Sequence, residues 1–166
     1  MNKMTVKTVE GFIHNLQKEG LFEHASELRT IVAMSRKRKD ALQYLSGMTV
    51  PLLEHIIKYE SMPLSRDKNK WHGEIKGYLN KFNIRNKSPK GIPWLTIEYI
   101  QMDLNDVLSS PEFIVNMEEE LKTYSKEDRN RALNLIKRHK TIKSLGIKLF
   151  YDQDNSFNIS IKGQGL

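Results

Sequence analysis

Pro51-Leu52-Leu53-Glu54-His55-Ile56-Ile57-Lys58-Tyr59 is a very apolar stretch near the middle of a 166-residue chain. Leu52, Leu53, Ile56 and Ile57 recur at helical spacing. Proline suits a first helical turn, where its missing N–H is no loss. The stretch therefore predicts a short helix that starts at Pro51 and sits at the centre of the fold. His55, inside so apolar a segment, reads as a core histidine bonded to the backbone.

Outward from this helix, Gly47 closes a preceding helical stretch that Arg36-Lys37-Arg38-Lys39 opens and that carries Ala41, Leu42 and Leu45. Leu21, Phe22, Ala25, Leu28, Ile31 and Val32 predict a helix over 21–33. Val6, Val9, Ile13 and Leu16 predict another over 5–18, ended by Gly20. Toward the C-terminus, Ser61–Ser65 is a connector and Asp67 an N-cap. The helix behind it turns Trp71, Ile75, Tyr78, Leu79 and Phe82 inward. Asn83–Pro93, with two prolines and a glycine, marks an exposed loop or a boundary. It would separate an N-terminal bundle (1–83) from a C-terminal part (94–166), unless the two form one continuous domain.

Beyond the loop, Trp94, Ile97, Ile100, Leu104 and Val107 predict a helix, with a strand at Leu95–Met102 as the rival. Ser110-Pro111 opens a helix through Phe113, Met117 and Leu121. Ser125-x-x-Asp128 is a capping-box-like start for a helix carrying Ala132, Leu135, Ile136, Ile142 and Leu145, ended by Gly146. The period then changes to two. Ile147, Leu149 and Tyr151, then Phe157, Ile159 and Ile161, flank a Gln153–Ser156 turn and predict a β-hairpin. A lone hairpin is marginal in water, so it must pack on something. The fold class is mainly α, a multi-helix bundle of seven or eight helices with a C-terminal β-hairpin.

Composition narrows the function classes. Apolar residues are 39% of the chain, enough for a core, while Gly (9) and Pro (5) are scarce. Cysteine is absent, which excludes disulfides, thiolate nucleophiles and cysteine zinc sites. The apolar runs are too short to span a bilayer, and Met1–Thr5 is no signal-peptide start. The expectation is a soluble cytoplasmic protein that does not engage membranes.

From Ser35 to Phe82 the chain resembles the bacterial helical family known as domain of unknown function twenty-nine. That family's core is a basic helix, an apolar Leu-Leu-x-His-Leu-Leu-Lys-Trp helix, a Pro and an Arg, and then a Trp with an Ile four residues on. Here Leu52–Tyr59, Pro63, Arg66, Trp71 and Ile75 fall in that order. Tyr59 replaces the family's Trp, one extra residue precedes Trp71, and His72 stands where a basic residue is usual. The resemblance implies an α-helical fold and no activity.

Charge is the most informative global property. The net charge is +7 and the isoelectric point about 9.5. It is unevenly spread: residues 61–91 hold eight Lys/Arg against two carboxylates, 92–124 hold one Lys against seven, and 125–166 are basic again. The acidic segment can fold back and neutralise part of this, but a surplus must face solvent and attract polyanions. The candidate nucleic-acid-binding residues are Arg36, Lys37, Arg38 and Lys39; then Arg66, Lys68, Lys70, Trp71, His72, Lys76, Arg85, Lys87 and Lys90; then Arg131, Lys137 and Arg138. Lysine and arginine supply phosphate contacts, and the interleaved aromatic rings offer stacking surfaces. Arg131 and Arg138, seven apart, share a helix side. Two helices, a basic helix and a hairpin are the order of a winged helix, although the hairpin tip Asp152–Asn155 is acidic.

Other chemistries are weaker. No His-Glu-x-x-His pairing exists. Asp152-x-Asp154-x-Ser156 lacks the glycine and the closing glutamate of a calcium loop, and reads as a turn. Gly163-Gln164-Gly165 has no helix after it to form a phosphate cradle. No cofactor or metal is expected. A small metal-independent ribonuclease is a third-ranked reading, with His72 beside Glu74 and Lys76, or His139 beside Arg138 and Arg131, moving protons. Ranked above it is a protein-binding regulator or inhibitor that docks on a charged partner. Non-catalytic nucleic-acid binding with a regulatory purpose ranks first.

Overall fold

Helical periodicity governs most of the chain, and in the computed structural model, which describes residues 6–166, it yields six α-helices followed by a small antiparallel sheet. Two compact units result, the residues up to Lys39 and Asp40–Leu166. Arg36–Lys39 lie in the first.

In the first unit, α1 (Val6–Lys18) turns into the start of α2 (Phe22–Ser61). The turn is a Schellman motif. The Leu21 N–H donates to Leu16 O at 2.9 Å, the Gly20 N–H donates to Gln17 O at 3.1 Å, and Gly20 takes the left-handed φ of 78° that glycine tolerates. Ile13 and Ala25 are buried between the two helices, and Arg36 pairs with Glu10 at 3.1 Å.

The expected breaks inside residues 21–59 do not occur. Three expected helices are one 40-residue helix, with Pro51 in its interior. The proline ring crowds the carbonyl four residues earlier and offers it no N–H, and that residue is Gly47. Gly47 carries no side chain to add to the crowding, so the pair that reads as stop and start is passed through. Downstream of it, Leu52, Leu53, Ile56 and Ile57 are all buried, as the central position of this segment requires.

In the second unit, one apolar core runs from Ala41 on α2 to Ile161 on the last full strand. α3 (Lys68–Asn86) buries Trp71, Ile75, Leu79 and Phe82 in it. Asp67 makes no side-chain cap; the Ser65 hydroxyl accepts the Asp67 N–H instead. α4 (Ile97–Ser109) is a helix and not the rival strand, capped by Thr96 Oγ1 accepting the Tyr99 N–H at 3.3 Å. α5 (Pro111–Glu120) ends in one 3-10 turn (Leu121–Thr123).

Ser125 caps α6 (Lys126–Arg138) as its motif predicts, its Oγ accepting the Asp128 N–H at 3.1 Å. α6 then stops at Arg138, short of the predicted Gly146. Ile142 and Leu145 reach the core from a tight turn instead, and Gly146 (φ 78°) passes the chain to β1. β1 (Ile147–Tyr151) and β2 (Phe157–Ile161) pair with Leu149 opposite Ile159. A two-residue turn at Lys162-Gly163, both at positive φ, adds a short β3 (Gln164–Gly165) that periodicity does not reveal. Phe157 packs edge-on against Phe82 of α3 at 5.7 Å, so the sheet shares the helical core.

No described helix is long and apolar enough to cross a membrane.

Candidate nucleic-acid interface

The cations between 66 and 90 are unevenly exposed but uniformly unpaired. Among the described residues, none of Arg66, Lys68, Lys70, Lys76, Lys81, Arg85, Lys87 and Lys90 forms a salt bridge. Lys68 lies 4.5 Å over the Tyr59 ring, and Arg85 lies 4.3 Å over the Tyr44 ring, contacts that orient a cation without neutralising it. On α3, Lys70 and Lys81 are eleven apart and share one flank. Lys76 occupies the other, and Lys87 extends it past the helix end. Between the flanks lie Gly73 and Gly77, where a methyl group would meet nothing within 4 Å.

Among the described residues, no carboxylate of 92–124 forms a salt bridge with a cation of this helix. Glu118, Glu119 and Glu120 pair with Lys137, Lys122 and Lys58. Arg131 is held by Asp128 at 2.8 Å and faces Glu127 at 3.7 Å, so α6 neutralises one of its own cations.

Two basic stretches approach one another. Ser61 at the end of α2 and Pro63 in the connector before α3 line a groove of about 410 Å³ with Arg131, Asn134, Arg138 and His139 of α6 and its end. Trp71 lies 6.2 Å, ring to ring, from Tyr124, just before α6, and the positive charge of Lys70 acts on that tyrosine. The 66–70 end of the second stretch thus stands beside the third. Arg85, Lys87 and Lys90 stand at the opposite end, about 28 Å along α3. There Asn83 holds the Phe157 main chain, its Oδ1 accepting the N–H at 2.6 Å and its Nδ2 donating to the carbonyl at 3.1 Å.

Two aromatic candidates need correction. Trp71 is 3% exposed and part of the core, so no base can stack on it. Its helix position, four before Ile75 and eight before Leu79, already put it on the inward face. His72 is half-buried and stacked on Tyr59 at 5.9 Å. Glu74 contacts His55 instead of His72. His139 does share a groove with Arg131 and Arg138. Among the described residues no group of three His, Asp or Glu is placed to hold a metal. The Asp152 carboxylate accepts the N–H groups of Asp154 and Ser156, at 3.0 and 2.8 Å, as a turn cap.

A cluster that the sequence does not announce lies where α2, α3 and α5 meet. Lys58, its side chain 4% exposed, pairs with Glu120. Glu54, one turn earlier, hydrogen-bonds Glu120, and burial together with that neighbouring carboxylate pushes its pKa up to about 7. His55 donates from Nδ1 to Pro51 O at 2.5 Å, the backbone bond expected of a core histidine, and turns Nε2 to Glu74. Burial also raises the Tyr78 and Tyr124 hydroxyls above the usual tyrosine value. The sole sequence signal was the i,i+4 spacing of Glu54 and Lys58; Glu74 and Glu120 arrive only through tertiary packing. No family model, no curated protein and no solved structure matches the chain.

Proposed function

We propose that this protein binds nucleic acid without catalysis, through Lys and Arg contacts to phosphate, and serves a regulatory role in the cytoplasm. The observation that carries the reading is that, among the described residues, none of the eight cations from Arg66 to Lys90 forms a salt bridge, while Glu118, Glu119 and Glu120 of the neighbouring acidic segment pair with lysines outside that stretch. A cation held against a carboxylate is not free to neutralise a phosphate and displace the counterions condensed on the nucleic acid; an unpaired one is. Pro63, ahead of α3, shares a groove with Arg138, Lys70 acts on Tyr124 ahead of α6, and the open strip at Gly73 and Gly77 permits close backbone approach. The resemblance of residues 35–82 to the helical family of unknown function is compatible with this reading and adds no activity to it.

Gel-shift titration against salt on duplex DNA, single-stranded DNA and RNA tests the proposal. Six phosphate contacts on duplex DNA give a log–log slope of about −5. Replacing Arg66, Lys70 and Arg138 together by Glu should flatten the slope by about three contacts' worth, to roughly −2 to −3. Absence of binding to all three at low salt, or a slope unchanged in the triple variant, refutes the reading.

A further inference from the structure

The outer edge of β1 is unpartnered in a way the nucleic-acid reading does not use. In the β1–β2 ladder, Lys162 N–H donates to Gly146 O at 2.7 Å and Asp152 N–H donates to Ser156 O at 3.1 Å. These bonds set the phase of the antiparallel pairing: Lys148 and Phe150 exchange hydrogen bonds with β2, and Leu149 turns its N–H and C=O to the other side. β1 is the first strand of the sheet, so that side is an edge. Among the described residues nothing bonds the Leu149 main chain there. The edge opens into a groove of about 410 Å³ between β1 and Gln101 of α4, in which Leu149 is the half-buried apolar residue, Ile142 and Ile147 belonging to the core beneath. Lys143 and Lys148 line the same groove, and neither forms a salt bridge among the described residues.

We propose that this edge binds an acidic peptide segment in extended conformation, added as a strand alongside β1. The Leu149 N–H and C=O supply main-chain pairing, its half-buried side chain meets an apolar residue of the peptide, and the two lysines take carboxylates. The lysines also decide against the obvious rival. A second copy of this chain docked edge to edge would bring Lys143 and Lys148 of both copies into one seam, and lysine on an edge strand blocks such self-pairing. A partner of opposite charge turns that obstacle into attraction. Phosphates would be drawn by the lysines, but a nucleic-acid backbone has no amide row to complete the ladder.

The test uses a fluorescent seven-residue peptide that alternates glutamate and valine, with the full-length protein. Two control peptides accompany it: one N-methylated at alternate residues, which keeps the charge and loses the ladder, and one with lysine in place of glutamate. The expected result is saturable binding by anisotropy, weakened about tenfold by N-methylation and about tenfold by Lys148→Glu. Lys143→Glu serves as the second variant, and circular dichroism verifies the fold of both. Amide shifts in an NMR titration should centre on Leu149. Equal binding of the N-methylated peptide, equal binding of the lysine peptide, or no binding of the acidic one at millimolar concentration each overturns the proposal. So does concentration-dependent dimerisation through this edge.

Discussion

Glu54→Gln is the most direct probe of the buried ionisable cluster. Glu54 shares a hydrogen bond with Glu120, Lys58 lies on the same helix one turn on, and Tyr78 faces it from α3. In the folded protein its carboxyl is raised from 4.5 to about 7. The folded state therefore holds this proton more tightly than the unfolded chain does. Its contribution is fully present below pH 4.5 and is lost as pH rises through 7. A displacement of that size corresponds to about 3 kcal/mol, and half-exposure of the group reduces it to about 1–2 kcal/mol. Glutamine keeps the shape and a donor toward Glu120 while removing the titration. Urea unfolding at pH 5 and pH 8 should give equal stabilities for the two proteins at pH 5, and a variant more stable by about 1–2 kcal/mol at pH 8. Parallel stability curves across this range, or a variant weaker at pH 8, would refute the idea that Glu54 carries a proton for Glu120.

Asn86, 2% exposed, accepts the Leu95 N–H at 2.7 Å and donates to the Leu95 carbonyl at 3.2 Å. Asn86→Ala leaves both main-chain groups without that partner and should cost about 2–4 kcal/mol in chemical denaturation. Ser125→Ala removes the α6 cap and should cost about 1 kcal/mol by the same measurement. Gly146→Ala places a methyl 2.9 Å from Lys162 Cγ at a φ of 78° and should lower the melting temperature, with a cost of about 1–2 kcal/mol.

The sequence carries the helical face pattern openly, because the 3.6-residue spacing of Leu52, Ile56, Ile75, Leu79, Leu104 and Leu108 is the same thing as their burial. It carries the hairpin for the same reason, through the two-residue alternation of Phe157, Ile159 and Ile161. Local stop signals are less binding. Gly47 and Pro51 read as punctuation, yet tertiary packing on both sides of them outweighs the lost backbone bond and carries α2 through. The reverse holds after Arg138, where Ile142 and Leu145 keep a helical spacing that a tight turn also satisfies. The candidate interface was legible as composition and not as geometry. Charge counts located the basic stretch, but only coordinates separate Lys137, which faces Glu118, from Lys81, which forms no salt bridge among the described residues. Trp71 shows the limit from the other side: an aromatic residue among lysines looks like a stacking platform until its helical phase is compared with that of Ile75.

The division of carboxylates explains why the cation surplus collects on α3. Glu118, Glu119 and Glu120 are consecutive on a helix, so their side chains fan out by about 100° each. One finds Lys137 on α6, one Lys122 in the next turn and one the buried Lys58. The last pairing is the demanding one. An unpaired ammonium in the core would be strongly destabilising, so Glu120 is committed to Lys58 and Glu54 gives up its charge beside it. A carboxylate engaged in the interior cannot also neutralise a lysine on the surface. The polar cluster beneath α3 and the unpaired basic flanks above it are thus linked, and Lys58→Met would test the link. Freed of its buried cation, Glu120 should repel Glu54 more strongly and move the pH-dependent loss of stability higher, and as a carboxylate available to surface lysines it should flatten the salt slope of the proposed nucleic-acid binding. An unchanged slope would mean that the cluster and the basic surface do not divide the carboxylates in this way.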